Sequence, residues 1–248
     1  TEYKYIENFP DGINSNFPSM AMEDSEGNLW IATKDGGLNK FKIDNGKFIH
    51  YVNDKRDSQS IKSDSIYFLY EDSSGIFWIG TNGEGLCYFN VKKKSFPHYN
   101  NFLDSDSKTL GNKISVFCEE NENTFWIGTT DSGLIKYQIS EQKFTCYKNS
   151  EDDINSLNDD RVSALFFDGK ESLWIGTYGG GLNKLDLKEQ KFKGFKRSAD
   201  GSINSVSSNA VSSIVSDKNG NLWLGTGDRG INKLEPDKEI FTYFLHDK

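Results

Sequence analysis

Five tryptophans fall on one beat in this chain: Trp30, Trp78, Trp126, Trp174 and Trp223, spaced 48, 48, 48 and 49 residues apart. The same phrase surrounds each: NLWIATKDGGLNKF, IFWIGTNGEGLCYF, TFWIGTTDSGLIKY, SLWIGTYGGGLNKL and NLWLGTGDRGINKL. Thr33, Thr81, Thr129, Thr177 and Thr226 form a second column, and Gly37, Gly85, Gly133, Gly181 and Gly230 a third. Eighteen residues after each Trp stands Phe48, Phe96, Phe144, Phe192 or Phe241. A fixed period in the forties marks a repeat architecture, whose units bury their apolar faces only by stacking on one another.

Each unit parses into four short strands, A to D. In the third, Ile114–Glu120 reads as A, Phe125–Thr130 as B, Leu134–Ile139 as C and Phe144–Lys148 as D. The runs are rich in β-branched and aromatic residues and are bounded by turn formers. The glycine of the B–C turn is suited to a positive φ, which costs other residues energy. A lone four-stranded meander cannot bury both faces, and radial stacking solves this. The sequence therefore predicts an all-β fold: a β-propeller of five four-stranded antiparallel blades of about 48 residues, complete or excised from a longer array. The expected blades are 17–52, 65–100, 113–148, 161–196 and 210–246 of one domain, with residues 2–8 as an extra outer strand.

The long D-to-A links repeat a phrase of their own. Ile154-Asn155-Ser156-Leu157 and Ile203-Asn204-Ser205-Val206 align with Ile13-Asn14-Ser15, where Asn16 stands in for the Leu. The extra residue in the last interval also falls in such a link, near Gly201, where a loop tolerates it.

Composition narrows the function classes. A net charge of −8 without a basic cluster argues against nucleic acid, because phosphate binding needs Lys and Arg to displace counterions. No apolar run approaches a membrane span. The start lacks a signal-peptide pattern, so the chain reads as a mature or excised segment, and any membrane contact would come through segments it does not contain. Cys87, Cys118 and Cys146 are odd in number and lack a CxxC spacing, so they read as small buried hydrophobes, not as disulfides or a zinc site.

The phrase W-I-G-T-x-G-G-G-L-N-K, a D-x-x-G turn before it and N-S-L ahead of the next strand A resemble the two-component regulator propeller repeat. The fourth unit, Leu173–Leu185, matches best. Departures are small: Ala32 replaces a Gly in the first unit, and Glu120 and Asn123 replace the Asp and Gly of the turn in the third. The resemblance implies a sensor role. Such repeats usually form the extracytoplasmic region of bacterial membrane receptors, often hybrid histidine kinases that detect carbohydrate breakdown products. The ligand does not follow from it, since one fold hosts many functions.

Chemistry of its own is hard to find. Of the three histidines, His50 and His98 share a slot in strand D and His246 follows the last strand D, all at an edge and away from a propeller's centre. A streptogramin-lyase-like enzyme would need acid–base groups at that centre. Asp24, Asp72, Asp168 and Asp217, each six residues before a Trp, read as caps of the A–B turn. Asp217–Asn221 lacks the rest of a calcium loop, and the glycine-rich turns lack the helix N-terminus of a phosphate cradle. No cofactor, metal or catalytic residue is expected.

The varied residues within the constant turns carry the binding expectation. With strand A innermost, B–C turns and D–A links share the face around the channel mouth. The candidate ligand-binding residues are Lys34, Asp35, Asn82, Glu84, Thr130, Asp131, Tyr178, Asp228 and Arg229. A Tyr178 ring can stack on a sugar and an Arg229 guanidinium can fork onto a carboxylate. The leading expectation is an extracytoplasmic sensor binding a small polar ligand such as an oligosaccharide, with a homodimer formed through the parent receptor. The alternative is a protein-interaction or dimerisation platform without a small-molecule ligand.

Overall fold

The computed structural model describes residues 3–6, 9–89, 95–99, 113–198 and 204–245. All regular structure among them is extended, in five four-stranded antiparallel sheets. The first blade holds β1 (Pro18–Glu23), β2 (Leu29–Thr33), β3 (Leu38–Lys42) and β4 (Lys47–Tyr51). The second holds β5 (Ile66–Glu71), β6 (Phe77–Thr81), β7 (Leu86–Phe89) and β8 (His98–Tyr99). The third holds β9 (Ile114–Asn121), β10 (Thr124–Thr129), β11 (Leu134–Gln138) and β12 (Lys143–Tyr147). The fourth holds β13 (Val162–Phe167), β14 (Ser172–Thr177), β15 (Leu182–Asp186) and β16 (Lys191–Phe195). The fifth holds β17 (Val211–Ser216), β18 (Leu222–Thr226), β19 (Ile231–Glu235) and β20 (Ile240–Phe244). Strands pair in chain order in every blade, so each is a meander with A and D at its edges. This is the all-β propeller-blade architecture that the repeat predicts.

The chain divides into two compact units, residues 1–103 with 107–114, and residues 104–106 with 115–248. In the first, Trp30, Ala32 and Leu38 of one blade pack against Ile66, Leu69, Phe77, Ile79, Phe89 and Phe96 of the next. In the second, Trp126 and Leu134 pack against Val162, Leu173, Ile175, Leu185 and Phe192, and Trp174, Leu182 and Phe195 against Ile214, Leu222, Leu224, Leu234 and Phe241. The Trp column thus supplies the face that seats the following blade, and the Phe column the face that is seated.

The Asp-to-Trp spacing has a physical reason beyond a cap. Asp24 Oδ1 accepts from the backbone of Glu26 and Asn28, while its Oδ2 accepts from Trp30 Nε1 at 2.8 Å. Asp72 serves Trp78 at 2.7 Å and Asp217 serves Trp223 at 3.1 Å in the same way. Glu120 reaches Trp126 at 2.7 Å with its longer side chain. The carboxylate closes the turn and satisfies an indole N–H that burial would otherwise leave unpaired.

Asn221 and Trp223 hydrogen bonds hold the Asp217 carboxyl down at about 2. A carboxyl lowered on folding contributes stability that is complete above its ordinary value, near 4, and is lost as pH falls through the folded value. Unfolding midpoints followed from pH 5 to pH 2 should therefore fall less steeply below pH 4 for Asp217→Asn than for the unsubstituted chain.

Two expectations are corrected. Residues 3–6 form no strand; residues 2, 7 and 8 of the expected outer strand lie outside the described residues. With Tyr5 N bonded to Asn16 Oδ1 and the Tyr3 ring edge-on to Phe41 and Phe48, the segment is held by side chains and not by a ladder. Ile13-Asn14-Ser15 is also out of register with Ile154-Asn155-Ser156. Asn14 N donates to Asn39 Oδ1 as Asn158 N does to Asn183 Oδ1, so Ile13 is the counterpart of buried Leu157, and Ile154 is exposed. The fixed point is a buried Asn on strand C, which the short phrase does not reveal.

Cys87 is buried and Cys118 and Cys146 are half-buried, all as free thiols. Burial pushes the Cys87 thiol up to about 12 and Cys118 to about 11, so both stay protonated.

Candidate functional site

The B–C turns are built on one frame. In each, the Thr hydroxyl donates to the carbonyl of the Gly four residues on, as for Thr33 to Gly37 and Thr177 to Gly181. It also accepts the N–H three residues on: Gly36, Glu84, Ser132, Gly180 or Arg229. The closing glycines hold φ between +67° and +83°. The first turn residue is tied to the residue ahead of strand A: Lys34 N to Phe17 O, Asn82 N to Ser65 O, Tyr178 N to Arg161 O. These bonds place B–C turns and D–A links at one end of each blade.

On this frame the varied side chains project outward. Lys34, Asp35, Asn82, Glu84, Asp131, Tyr178, Asp228 and Arg229 are exposed, and Thr130 is half-buried. In the first unit, Ser15 Oγ donates a short hydrogen bond to Asp35 Oδ1, linking turn and link. In the second unit, Arg229 Nε lies 3.9 Å from Asp228 Oδ2, a loose surface pair of little energetic weight. Among the described residues, no hydrogen bond or ion pair joins candidate residues of two different blades.

Around Tyr178 the structure adds two residues that the turn pattern did not single out. Arg161 grips Asp159 bidentately, Nε to Oδ1 at 3.0 Å and Nη2 to Oδ2 at 2.7 Å. Those bonds hold the Asp159 carboxyl below the usual carboxylate range and raise Arg161. The pair lies against Gly179, where a Cβ would overlap both the guanidinium and the carboxylate. Exposed Tyr178, whose N–H donates to Arg161 O, thus precedes in sequence the glycine against which this charge pair packs. The sequence signal was Asp159-x-Arg161 immediately ahead of strand A, where the other blades place Phe17, Ser65, Lys113 and Ala210.

The clefts lie at the other end of the blades, among A–B and C–D turns. One of about 1040 Å³ in the first unit is lined by Asp24, Asn28, Trp30, Lys40, Glu71 and Phe77. One of about 430 Å³ in the second is lined by Asp168, Trp174, Asn219, Asn221, Glu235 and Lys238. None of the candidate turn residues lines either. Lys40 Nζ sits 4.9 Å from the Trp30 ring centre and Lys184 Nζ 5.4 Å from that of Trp174, cation–π contacts that cap the wedge between blades. Among the described residues no three His, Cys, Asp or Glu side chains cluster as metal ligands, and no helix is long and apolar enough to cross a membrane. His50 Nε2 lies 2.7 Å from Gly12 O, bonded to backbone within the first unit.

The two component regulator propeller family matches the chain four times, at residues 12–35, 60–83, 156–179 and 205–228. Each match runs from the D–A link into the Trp phrase, through the frame Thr, and ends two residues before the closing glycine. No curated protein matches the chain significantly. Among solved structures, the extracellular domain of BT3049 from B. thetaiotaomicron, described as a hybrid two component system, is 28% identical with a TM-score of 0.77 over 94% of this chain. The extracellular domain of BT4673 from the same organism, described as a one component system, is 19% identical with a TM-score of 0.54 over 95% of this chain. PorZ of Porphyromonas gingivalis, a bacterial surface component of the type-IX secretion system, is 15% identical with a TM-score of 0.67 over 92% of this chain. The last two show the fold alone. This chain spans 31%, 38% and 33% of those three chains. The four matched stretches hold Trp30, Trp78, Trp174 and Trp223, so four of the five Trp units of this chain are similar to the two component regulator propeller repeat.

Proposed function

We propose that the chain is an extracytoplasmic recognition domain of a bacterial signal-transduction receptor. It binds a small polar ligand, such as an oligosaccharide, at the end of the blades that carries the B–C turns, and has no catalytic role of its own. The observation that carries this reading is the contrast within those turns. The Thr–Gly frame is the same in all five blades, while the side chains it exposes differ from blade to blade. Among them is Tyr178, 51% exposed and next in sequence to the glycine on which the Arg161–Asp159 pair packs. An exposed ring next to fixed donors and acceptors suits a sugar, whose CH face stacks while its hydroxyls bond. The likeness to the BT3049 extracellular domain supports the receptor context.

A thermal-shift screen against neutral oligosaccharides and uronic-acid fragments tests the reading. A ligand at about 100 times its dissociation constant stabilises by about 2.7 kcal/mol, a shift of roughly 5–11 °C for a chain of this size. Tyr178→Ala and Arg229→Ala are expected to abolish the shift without lowering the unliganded midpoint. A folded domain silent across the panel would favour the protein-interaction platform.

A further inference from the structure

In four blades the indole N–H of the repeat Trp is bonded by a carboxylate of its own A–B turn, and in the fourth blade it is not. Asp168 stands where Asp24, Asp72, Glu120 and Asp217 stand. Its Oδ1 caps the turn, accepting from Lys170 N at 2.8 Å and Ser172 N at 3.0 Å. Its Oδ2 accepts from no group among the described residues, and Trp174 Nε1 donates to none. Trp174 is nonetheless only 2% exposed. Ser172, 8% exposed, likewise has a hydroxyl without a partner among the described residues. The backbone of this turn differs too: its left-handed glycine, Gly169, directly follows the Asp, whereas Gly27, Gly75 and Gly220 come third after theirs.

These groups line a cleft that lies wholly within the second unit, between the fourth and fifth blades. Asp168, Lys170, Trp174, Pro236 and Asp237 border both a part of about 430 Å³ and an adjoining part of about 800 Å³, and Ser172 and Lys184 border the second. Phe166 and Leu222 add apolar wall to the first part. A concave volume of this size, apolar in part and with a few convergent polar groups, has the make-up of a small-molecule site. A buried donor and a carboxylate oxygen left open cost stability that the other four blades avoid, and a ligand that completes both bonds restores it. The corresponding wedge in the first unit has no such opening. There Asp24 holds Trp30 at 2.8 Å, and Glu71 of the second blade accepts from Ser25 N and Oγ, both at 2.6 Å.

We infer that this cleft is a binding site for a neutral polyol or sugar, held through a hydroxyl that donates to Asp168 Oδ2 and accepts from Trp174 Nε1. A hydroxyl is donor and acceptor at once, which an open carboxylate oxygen and an open N–H in one cleft require. An ammonium has no lone pair for the indole, and a carboxylate has no hydrogen for Asp168. With the Lys238–Glu235 and Lys193–Glu239 pairs set aside, Asp168, Glu171 and Asp237 stand against Lys170 and Lys184, a balance that disfavours an anion. Phe166, Leu222 and Pro236 offer surface to the ligand's CH groups. None of the candidate B–C turn residues lines the cleft, which lies at the other end of the blades, so the inference does not rest on the binding reading proposed above.

The test reads the indole N–H signals of the full chain by NMR with isotope-labelled tryptophan, that of Trp174 being assigned as the one lost in Trp174→Phe. Glycerol, erythritol and glucose are titrated in, with acetate, methylammonium and N-methylacetamide as probes of other classes. At least one of the first three is expected to shift the Trp174 signal saturably and leave that of Trp30 unmoved. Asp168→Asn keeps a capping side chain in the turn and should weaken that binding by about tenfold or more, since a hydrogen bond to a charged group is lost. Tyr178→Ala should leave it unchanged. The inference is overturned by a Trp174 N–H that none of the three moves saturably, or that exchanges with solvent as slowly as that of Trp30 and so is bonded within the protein in solution. A stronger saturable response to acetate, methylammonium or N-methylacetamide also overturns it, as does a response that Asp168→Asn leaves intact. Loss of the response in Tyr178→Ala does so too, and would place binding at the B–C turns.

Discussion

Trp126→Ala is expected to lower the unfolding midpoint of the chain by roughly 6–20 °C, the counterpart of a loss of about 3–5 kcal/mol. Trp126 is fully buried. Its ring sits in the cluster with Leu134, Leu157, Val162, Leu173 and Phe192, and Lys136 Nζ lies 5.3 Å from its centre. Its Nε1 is the donor that Glu120 receives. Truncation therefore opens a cavity between the third and fourth blades and strips a carboxylate of its partner. Trp223→Ala is the matched control. Trp223 bonds Asp217 in the same way but is half-buried, so its removal should cost about 1–2 kcal/mol by area alone. Denaturant unfolding of the two variants side by side reads the difference. Equal losses would mean that Trp223 is covered in solution.

The contrast between these two tryptophans also shows where sequence reasoning reached and where it stopped. The Trp, Thr and Gly columns announce the fold because each has a local job: an indole bonded within its own A–B turn in four blades, a hydroxyl closing its own B–C turn and a positive φ in all five. Local geometry has a fixed spacing, and fixed spacing is readable. Trp30 and Trp223 are therefore alike in sequence, yet one is buried and the other half-buried, because what lies against them comes from another repeat.

The candidate site was legible in the same partial way. The frame marked Tyr178 and Arg229 as outward-facing. It did not mark Arg161 and Asp159, which belong to a link and reach the turn only through folding. The misaligned Ile13 phrase failed for a related reason. The register of the D–A link is set by Asn39, Asn183 and Asn232, whose carboxamides accept from Asn14, Asn158 and Ser207 twenty-five residues earlier. A three-residue phrase cannot outweigh a bond made at that distance along the chain.

Gly181→Ala should cost about 2–5 kcal/mol, the sum of about 1–2 for a left-handed conformation and about 1–3 for overpacking. Gly181 has φ +76°, and a Cβ there would overlap the carbonyl oxygen of Phe195. Its N–H donates to Asn209 O at 2.9 Å and its carbonyl accepts from Thr177 N at 3.0 Å, so the turn cannot slide away without breaking a bond at either end. Gly46→Ala separates the two costs. Its φ is +70°, yet no atom lies within 4 Å of the added carbon. It should lose only about 1–2 kcal/mol. Equal costs for the two variants, read as unfolding midpoints, would show that the turn yields to the methyl and that the frame is softer than its bonds imply. A larger cost at Gly181, with loss of any ligand-induced shift that Tyr178 supports, would tie the constant glycine to the varied residue: the one is rigid so that the other can be placed.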